Sequence, residues 1–363
     1  MRPSWEKYLR YPRYLLEKYL RGFRPEKYYS YLLGIAASLA LFSIILLAFR
    51  YNPITSMVGL VTGSFGSIFL ASETFVLMAP FLLAALAFLV AYRARFYNIG
   101  VEGQLYIGAL FAYLVGSQLG GLPGVVAIPI VLIASATGGI LWLALPLLMR
   151  IKLQVNEIFP TLVMNFIAID IINWLTAGPI KDPNSGNLQT ATLPQSTWLP
   201  ILIPGTRFNL GIIFAALAAV AVFIVLYKTV LGYEIRASGT NPQAARAGGV
   251  DVSRSILAVG LISGGLAGLT GMVVVTGAEH LLAQNFSPGY GYQAIAVAAL
   301  SSFHPLGALI ASVLYSALSI GGESLQRSAA AIPIELIYVL QAVIVLSVLI
   351  VQTWLNRRMK RRR

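Results

Sequence analysis

The sequence predicts an all-α, polytopic membrane protein of about ten transmembrane helices, some short or broken, with a cytoplasmic helix in one polar loop. Three observations predict it. Apolar and aromatic residues make up 58% of the 363 residues and charged ones 11%, a membrane rather than a soluble profile. Apolar runs recur at close to the roughly 20 residues that a hydrocarbon crossing needs, separated by polar connections. The net charge of +13 belongs to the ends, since 14 of the 26 Lys and Arg stand before residue 30 or after residue 356. Basic flanks beside apolar spans read as membrane anchors that attract anionic lipid heads, and they carry no nucleic-acid pattern.

Residues 1–29 form a basic arm with Trp5, Tyr8, Leu9, Tyr14, Leu15 and Tyr19. It reads as an interfacial helix on the cytoplasmic leaflet in preference to a docking arm. The transmembrane region is 30–352 and opens with a span at Ser30–Phe49, long enough to be a crossing and not a cleaved signal. Ser56–Ser72 is rich in Gly and Ser and only moderately apolar, so it reads as a short interfacial or re-entrant helix. Further spans are expected at 74–92, 101–119, 124–149, 158–176, 210–228, 255–276, 290–303, 306–321 and 333–352, followed by a basic tail at 353–363. The segments 290–303 and 306–321 are short and joined by a tight turn at Ser301–Pro305, which suits tilted or broken half-helices.

Cations set the orientation. The amino-terminal arm, Arg93 with Arg95, Arg150 with Lys152, the loop 232–254 and the tail all fall on one side of a ten-span count. The long connection Gly178–Asn209 falls on the other side with few charges. Positive charge stays inside, so both ends are expected in the cytoplasm and 178–209 outside.

The loop 232–254 holds a short helix of its own. Ser238, Thr240 and Asn241 are capping types, and Pro242 suits a first helical position. The run Ala244-Ala245-Arg246-Ala247 follows, and Gly248-Gly249 closes it. A bare alanine face lets another protein's groove come close, and Arg246 offers a forked donor to a carboxylate there. The plain alternative is an ordinary connector.

Polar residues within spans are few. Glu102 and Gln104 follow Asn98 and Gly100 at a span start. A carboxylate costs about 2.5–3.5 kcal/mol at mid-membrane, so Glu102 faces protein or water. It fits a wall of a solute path or a capping acid at a helix start. Asn165, Asp170 and Asn173 share one span, as path lining or as hydrogen-bonded glue between helices, and Asn165 is the deeper. Gly260, Gly264 and Gly268 recur every four residues beside the row Ser263, Ala267, Gly271, a face for close helix packing. Glu279-His280 is expected in an outer loop, either solvated or touching a partner.

The absence of cysteine excludes disulfides, thiol nucleophiles and cysteine-ligated metals. Two distant histidines and scattered carboxylates make no metal set, and there is no phosphate loop with a following Lys-Ser/Thr, so ATP is not expected to bind this chain. No catalytic set and no cofactor signature are present.

Four blocks carry a resemblance: Phe96–Gln104 (FYNIGVEGQ), Asn156-Glu157-Ile158 with Thr161, Met164, Asn165, Ile167 and Ala168, the run Gly232–Arg254, and Tyr292–Ala298 with His304-Pro305-Leu306-Gly307. In this order, over roughly residues 74–351, they resemble the ABC-importer permeases of the ribose, branched-chain amino acid and nucleoside group. The form of the first block is most similar to the nucleoside or simple-sugar branch. The resemblance implies that 232–254 is the coupling loop, with Gly239, Asn241, Pro242, Ala244, Ala245, Arg246 and Gly248 meeting a cytoplasmic ATPase. It also implies that Asn98, Gly100, Glu102, Gln104 and Asn165 border the solute path. The implied partners are a second, different permease, ATPase subunits that hydrolyse ATP, and an extracytoplasmic solute-binding protein, often a lipoprotein. A branched-chain amino acid or ribose permease is the near alternative. An ion-coupled carrier would need buried ionisable groups, and an intramembrane enzyme would need a convergent acid, base or metal set; the spans are poor in both.

Overall fold

A computed structural model of the chain describes residues 25–328 and 332–361, which fall into two units. Most of the basic arm at 1–29 and the last two residues of the tail lie outside the described residues. The larger unit is Ile54–Ile337, and the other holds the flanking segments up to Pro53 and from Tyr338 onward. In the flanking unit the first described helix, α1 (Pro25–Ala48), packs on the last described one, α13 (Ile334–Arg361). A Cβ added to Gly34 would lie 3.1 Å from the Val348 Cα.

The larger unit runs α2 (Pro53–Phe65), α3 (Ile68–Arg93), α4 (Val101–Gly116), α5 (Gly124–Leu153), α6 (Ile158–Ala177), α7 (Leu210–Lys228), α8 (Val230–Thr240), α9 (Pro242–Ala247), α10 (Val252–Val274), α11 (Tyr290–Leu300) and α12 (Pro305–Arg327). A π-helical turn, Val275–Glu279, extends α10. The described residues hold no β-strand, only two isolated bridges, Gln189–Ala283 and Ile201–Asn209.

Every segment expected to span the membrane is helical. Yet seven helices are long and apolar enough to cross, or up to eight if the pair flanking residues 49–52 is one span. Seven or eight full-length spans among the described residues do not confirm the count of about ten, and two further apolar helices are shorter. Two segments fall short because polar or glycine-rich ends stop them: α4 has 16 residues and α11 has 11. At about 1.5 Å per residue α11 is only a half-crossing. The segment 56–72 is not one helix either. It breaks at Gly66, and Ser67 caps α3 by accepting from the Leu70 N–H at 3.1 Å.

The core sits around α3. Its residues Met78–Ala91 are buried on every side, as befits a helix apolar all round. Beside it, α10 interlocks with α4 and α5 through glycine backbones. A Cβ on Gly268 would run into the Ser135 carbonyl, one on Gly271 into the Leu105 carbonyl, and one on Gly260 into the Leu147 side chain. Gly264 lies where a Cβ would stand 3.0 Å from the Gly139 carbonyl and the Ile140 Cα. The Ser135 hydroxyl donates to the Gly268 carbonyl at 2.6 Å across the same seam.

The connection Gly178–Asn209 is fastened rather than free. Backbone N–H groups of Thr190, Leu193 and Leu199 donate to the carbonyls of Leu282, His280 and Thr276 at 2.9, 2.8 and 2.9 Å. His280 stacks on Trp198, ring centroids 3.8 Å apart. Glu279 is exposed, whereas His280 is half-buried and therefore not simply solvated. Burial, then the nearby Arg207 charge, hold its pKa below the ordinary histidine value.

Candidate functional site

Two polar clusters stand out. The first gathers around the start of α4. The tight turn before it leaves Asn98 pointing inward, where its amide pairs with Gln104 in both directions at 2.9 and 2.8 Å. Asn98 also donates to Ser263 on α10 at 2.9 Å and accepts from the Gly100 N–H at 3.1 Å. Ser263 in turn donates to the Ala87 carbonyl of α3 at 2.7 Å. Asn165 staples α6 to this turn, accepting from the Gly103 N–H at 2.8 Å and donating to the Ile99 carbonyl at 2.9 Å.

Glu102 faces the opposite way, toward α11. Its carboxylate accepts from the Gly291 N–H at 2.5 Å, with Ser287 and the Tyr292 backbone as further donors. It thus sits at the amino-terminal end of α11. Glycine makes these approaches possible: a Cβ on Gly103 would stand 2.9 Å from the Asn165 Cα, and one on Gly291 would overlap the Glu102 backbone.

Asn98, Glu102, Gln104 and Asn165 are each at most 1% exposed. Asn98 and Gln104 close on each other and Glu102 and Asn165 on neighbouring backbone, so a solute beside them would meet their outer neighbours first. Glu157 acts similarly, accepting from the Tyr97 N–H at 2.9 Å and pairing with Arg150 at 3.3 Å. On the same helix as Asn165, Asn173 exchanges hydrogen bonds with Asn285 at 3.0 and 3.1 Å. Asp170 lies exposed between them.

The second cluster lies beneath the loop 232–254. Asn241 caps α9, accepting from the N–H groups of Gln243 and Ala244 at 3.0 and 3.1 Å, with Pro242 at the first position. Ser238 and Thr240 do not cap it. They belong to α8, a separate helix, and Ser238 is buried. Gly248 ends α9 and Gly249 turns with φ +84°. Ala244, Arg246, Ala247 and Gly248 are exposed, whereas Ala245 is turned inward at 7% exposed.

Sequence reasoning missed what α8 rests on. A Cβ on Gly239 would strike the Arg93 carbonyl at the end of α3. Arg93 donates to the Tyr227 hydroxyl at 3.0 Å and to the Phe303 carbonyl. Arg236 of α8 lies over the Tyr227 ring at 5.2 Å, and His304 stacks beside that ring at 5.5 Å. Tyr92 stacks on Phe303 at 3.8 Å. The knot joins α8 to the turn between α11 and α12. Its sequence signal was faint, an arginine at a span end and the quoted His304.

A family model described as "Branched-chain amino acid transport system / permease component" matches residues 70–349. The guanosine ABC transporter permease protein NupP of Bacillus subtilis is 32% identical over 87% of this chain and 91% of its own. The glucose ABC transporter permease protein TsgB13 of Haloferax volcanii is 31% identical over 86% and 85%. A second B. subtilis relative, the guanosine ABC transporter permease protein NupQ, is 26% identical over 78% and 91%. No solved structure matches the chain.

Proposed function

Since the chain belongs to the branched-chain amino acid transport system permease family and is a membrane-embedded permease subunit of an ABC importer, not an enzyme, we propose that its solute is a nucleoside, or secondly a simple sugar. The carrying observation is the near full-length likeness to permease proteins named for guanosine and glucose. The chemistry of the first cluster agrees. Asn98, Gln104 and Asn165 bring amides and Glu102 one carboxylate to the wall behind the path, bonded within the protein, with no Lys or Arg among them. That suits a neutral, hydroxyl-bearing or heterocyclic solute better than an amino acid, whose carboxylate would need a positive field.

The solute passes close to Asn98–Gln104 and Asn165, which frame the path from behind. A second permease completes the pore. The two different guanosine permease proteins of B. subtilis support a paralogue in that place. The loop holding α8 and α9 faces the cytoplasm and meets the ATPase through Ala244, Arg246 and Gly248, while Gly239 and Ala245 seat it on the spans. An extracytoplasmic binding protein delivers solute to the other side.

ATPase closure pushes α9 and α8, and the Arg93–Tyr227–Phe303 knot passes the push to the end of α11. The far end of α11 holds Gly291 against Glu102, so one short rod links both clusters. Contacts that differ between the two states supply the bias; the solute alone cannot.

Uptake of labelled guanosine and glucose by a deletion strain carrying the restored operon tests the solute class. Guanosine uptake is expected. Uptake of neither would discard it. Gln104→Ala and Asn165→Ala should lower the maximal rate several-fold more than the apparent affinity, which the binding protein sets; an unchanged rate removes both from the path wall.

A further inference from the structure

The exposed side of α6 carries one charge among apolar side chains. Phe159, Val163, Phe166 and Trp174 stand exposed there at helical spacing, as on a lipid-facing span. Asp170 continues the same stripe and is exposed. It stands seven residues before Ala177, about 10 Å into the helix from that end. A carboxylate on a lipid-facing stripe at that depth is strongly disfavoured.

Among the described residues no hydrogen bond or ion pair joins Asp170 to another group. The arginines and lysines of the described membrane-spanning helices stand in the first or last turns, at Arg93, Arg150, Lys152, Lys228, Arg254 and Arg327, so none lies at the depth of Asp170. Water tolerates a carboxylate at that depth where lipid does not. Polar groups flank the position along α6: Tyr292 meets Asn165 before it, and the Asn173–Asn285 pair follows one turn later. Phe166 and Trp174, 59% and 65% exposed, add two ring faces beside the carboxylate.

We infer that this face of α6 lines the aqueous solute path and that the Asp170 carboxylate accepts hydrogen bonds from the hydroxyl or ring N–H donors of the passing solute. Phe166 and Trp174 offer stacking surfaces to its ring. The inference rests on the permease reading above but not on which solute is carried.

The test uses the cysteine-free chain in the assembled transporter. Asp170→Cys and Trp174→Cys are treated with a charged, water-requiring methanethiosulfonate, beside Leu217→Cys on the exposed side of α7 as the comparison. Asp170→Cys is expected to react at least about tenfold faster than Leu217→Cys, and guanosine at saturation to slow it several-fold. Equal, slow reaction at both positions overturns the aqueous placement, and lipid or a dry seam with the paralogue then covers the face. Fast reaction that guanosine or glucose fails to slow, when the unmutated transporter takes that solute up, overturns the solute contact. Asp170→Asn, which keeps an acceptor, should retain more uptake than Asp170→Leu; equal uptake by the two also overturns it. Labelling without solute is read independently of transport, so a wrong solute class shows as fast labelling with no uptake in the unmutated chain.

Discussion

At the scale of single residues, the informative side chains are buried polar ones, and their partners come from distant parts of the chain. Asn98, Glu102, Gln104 and Asn165 are legible in the sequence because polar groups within apolar spans are few. Their partners Ser263 and Gly291 are not, since a serine in a small-residue row and a glycine at the start of a span look like packing residues. His304 shows the same limit. It reads as a turn residue, yet it caps α12, faces Arg93 and stacks on Tyr227. Burial first, and the Arg93 charge second, push its pKa below the ordinary 6.5. The folded state therefore favours neutral imidazole, and the unfolded chain binds the proton more readily. Stability should then fall as pH drops through the unfolded value, not rise. His304→Asn keeps a capping acceptor without titrating. Its thermal midpoint in detergent should fall less than that of the unmutated protein between about pH 7.5 and about pH 5.5. An equal or larger fall contradicts this.

At the scale of elements, α10 and α9 behave differently under the same kind of change. Gly268→Ala places a methyl against the Ser135 carbonyl, and overpacking of this kind costs about 1–3 kcal/mol. Gly265, on the same helix, has ordinary room, with the Ile140 Cδ1 3.7 Å from an added Cβ. There the change to alanine should be neutral or stabilising by up to about 1 kcal/mol, from helix propensity alone. Thermal unfolding of the two purified variants separates them, and equal midpoints would show that α10 and α5 yield at the contact. For α9 the exposed positions matter. Arg246→Glu and Ala244→Trp are expected to leave insertion and stability intact while abolishing ATPase pull-down and cutting uptake at least about tenfold. Full uptake by Ala244→Trp ends the docking assignment. Ala245 is a poor probe because its side chain packs inward, so a bulky residue there tests folding instead. The cap of α9 is legible from Asn241-Pro242, a strong local signal. Helix α8 is not, because Gly232 and Gly239 weaken its local preference and contact with α7 and the end of α3 supplies the rest.

At the scale of the molecule, cation placement carries the orientation. Single cysteines at Lys181, Asn187 and Thr206 should react with an impermeant thiol reagent applied to intact cells, and those at Gln243 and Ser253 only after lysis. Ser238 is unsuitable, since its burial would silence it on either side. The reverse pattern would overturn both the orientation and the cytoplasmic position of α8 and α9. By itself the sequence determined the all-helical membrane class, the helical segments, the scarcity of charge inside them and the permease family. Each of these follows from composition, hydropathy and short-range motifs, which every stretch of chain carries alone. Tertiary structure decided which glycines meet a neighbouring backbone, which amides close on each other and that Asp170 is left outside. Those outcomes depend on groups tens to hundreds of residues apart competing for the same buried space, and no local pattern encodes that competition.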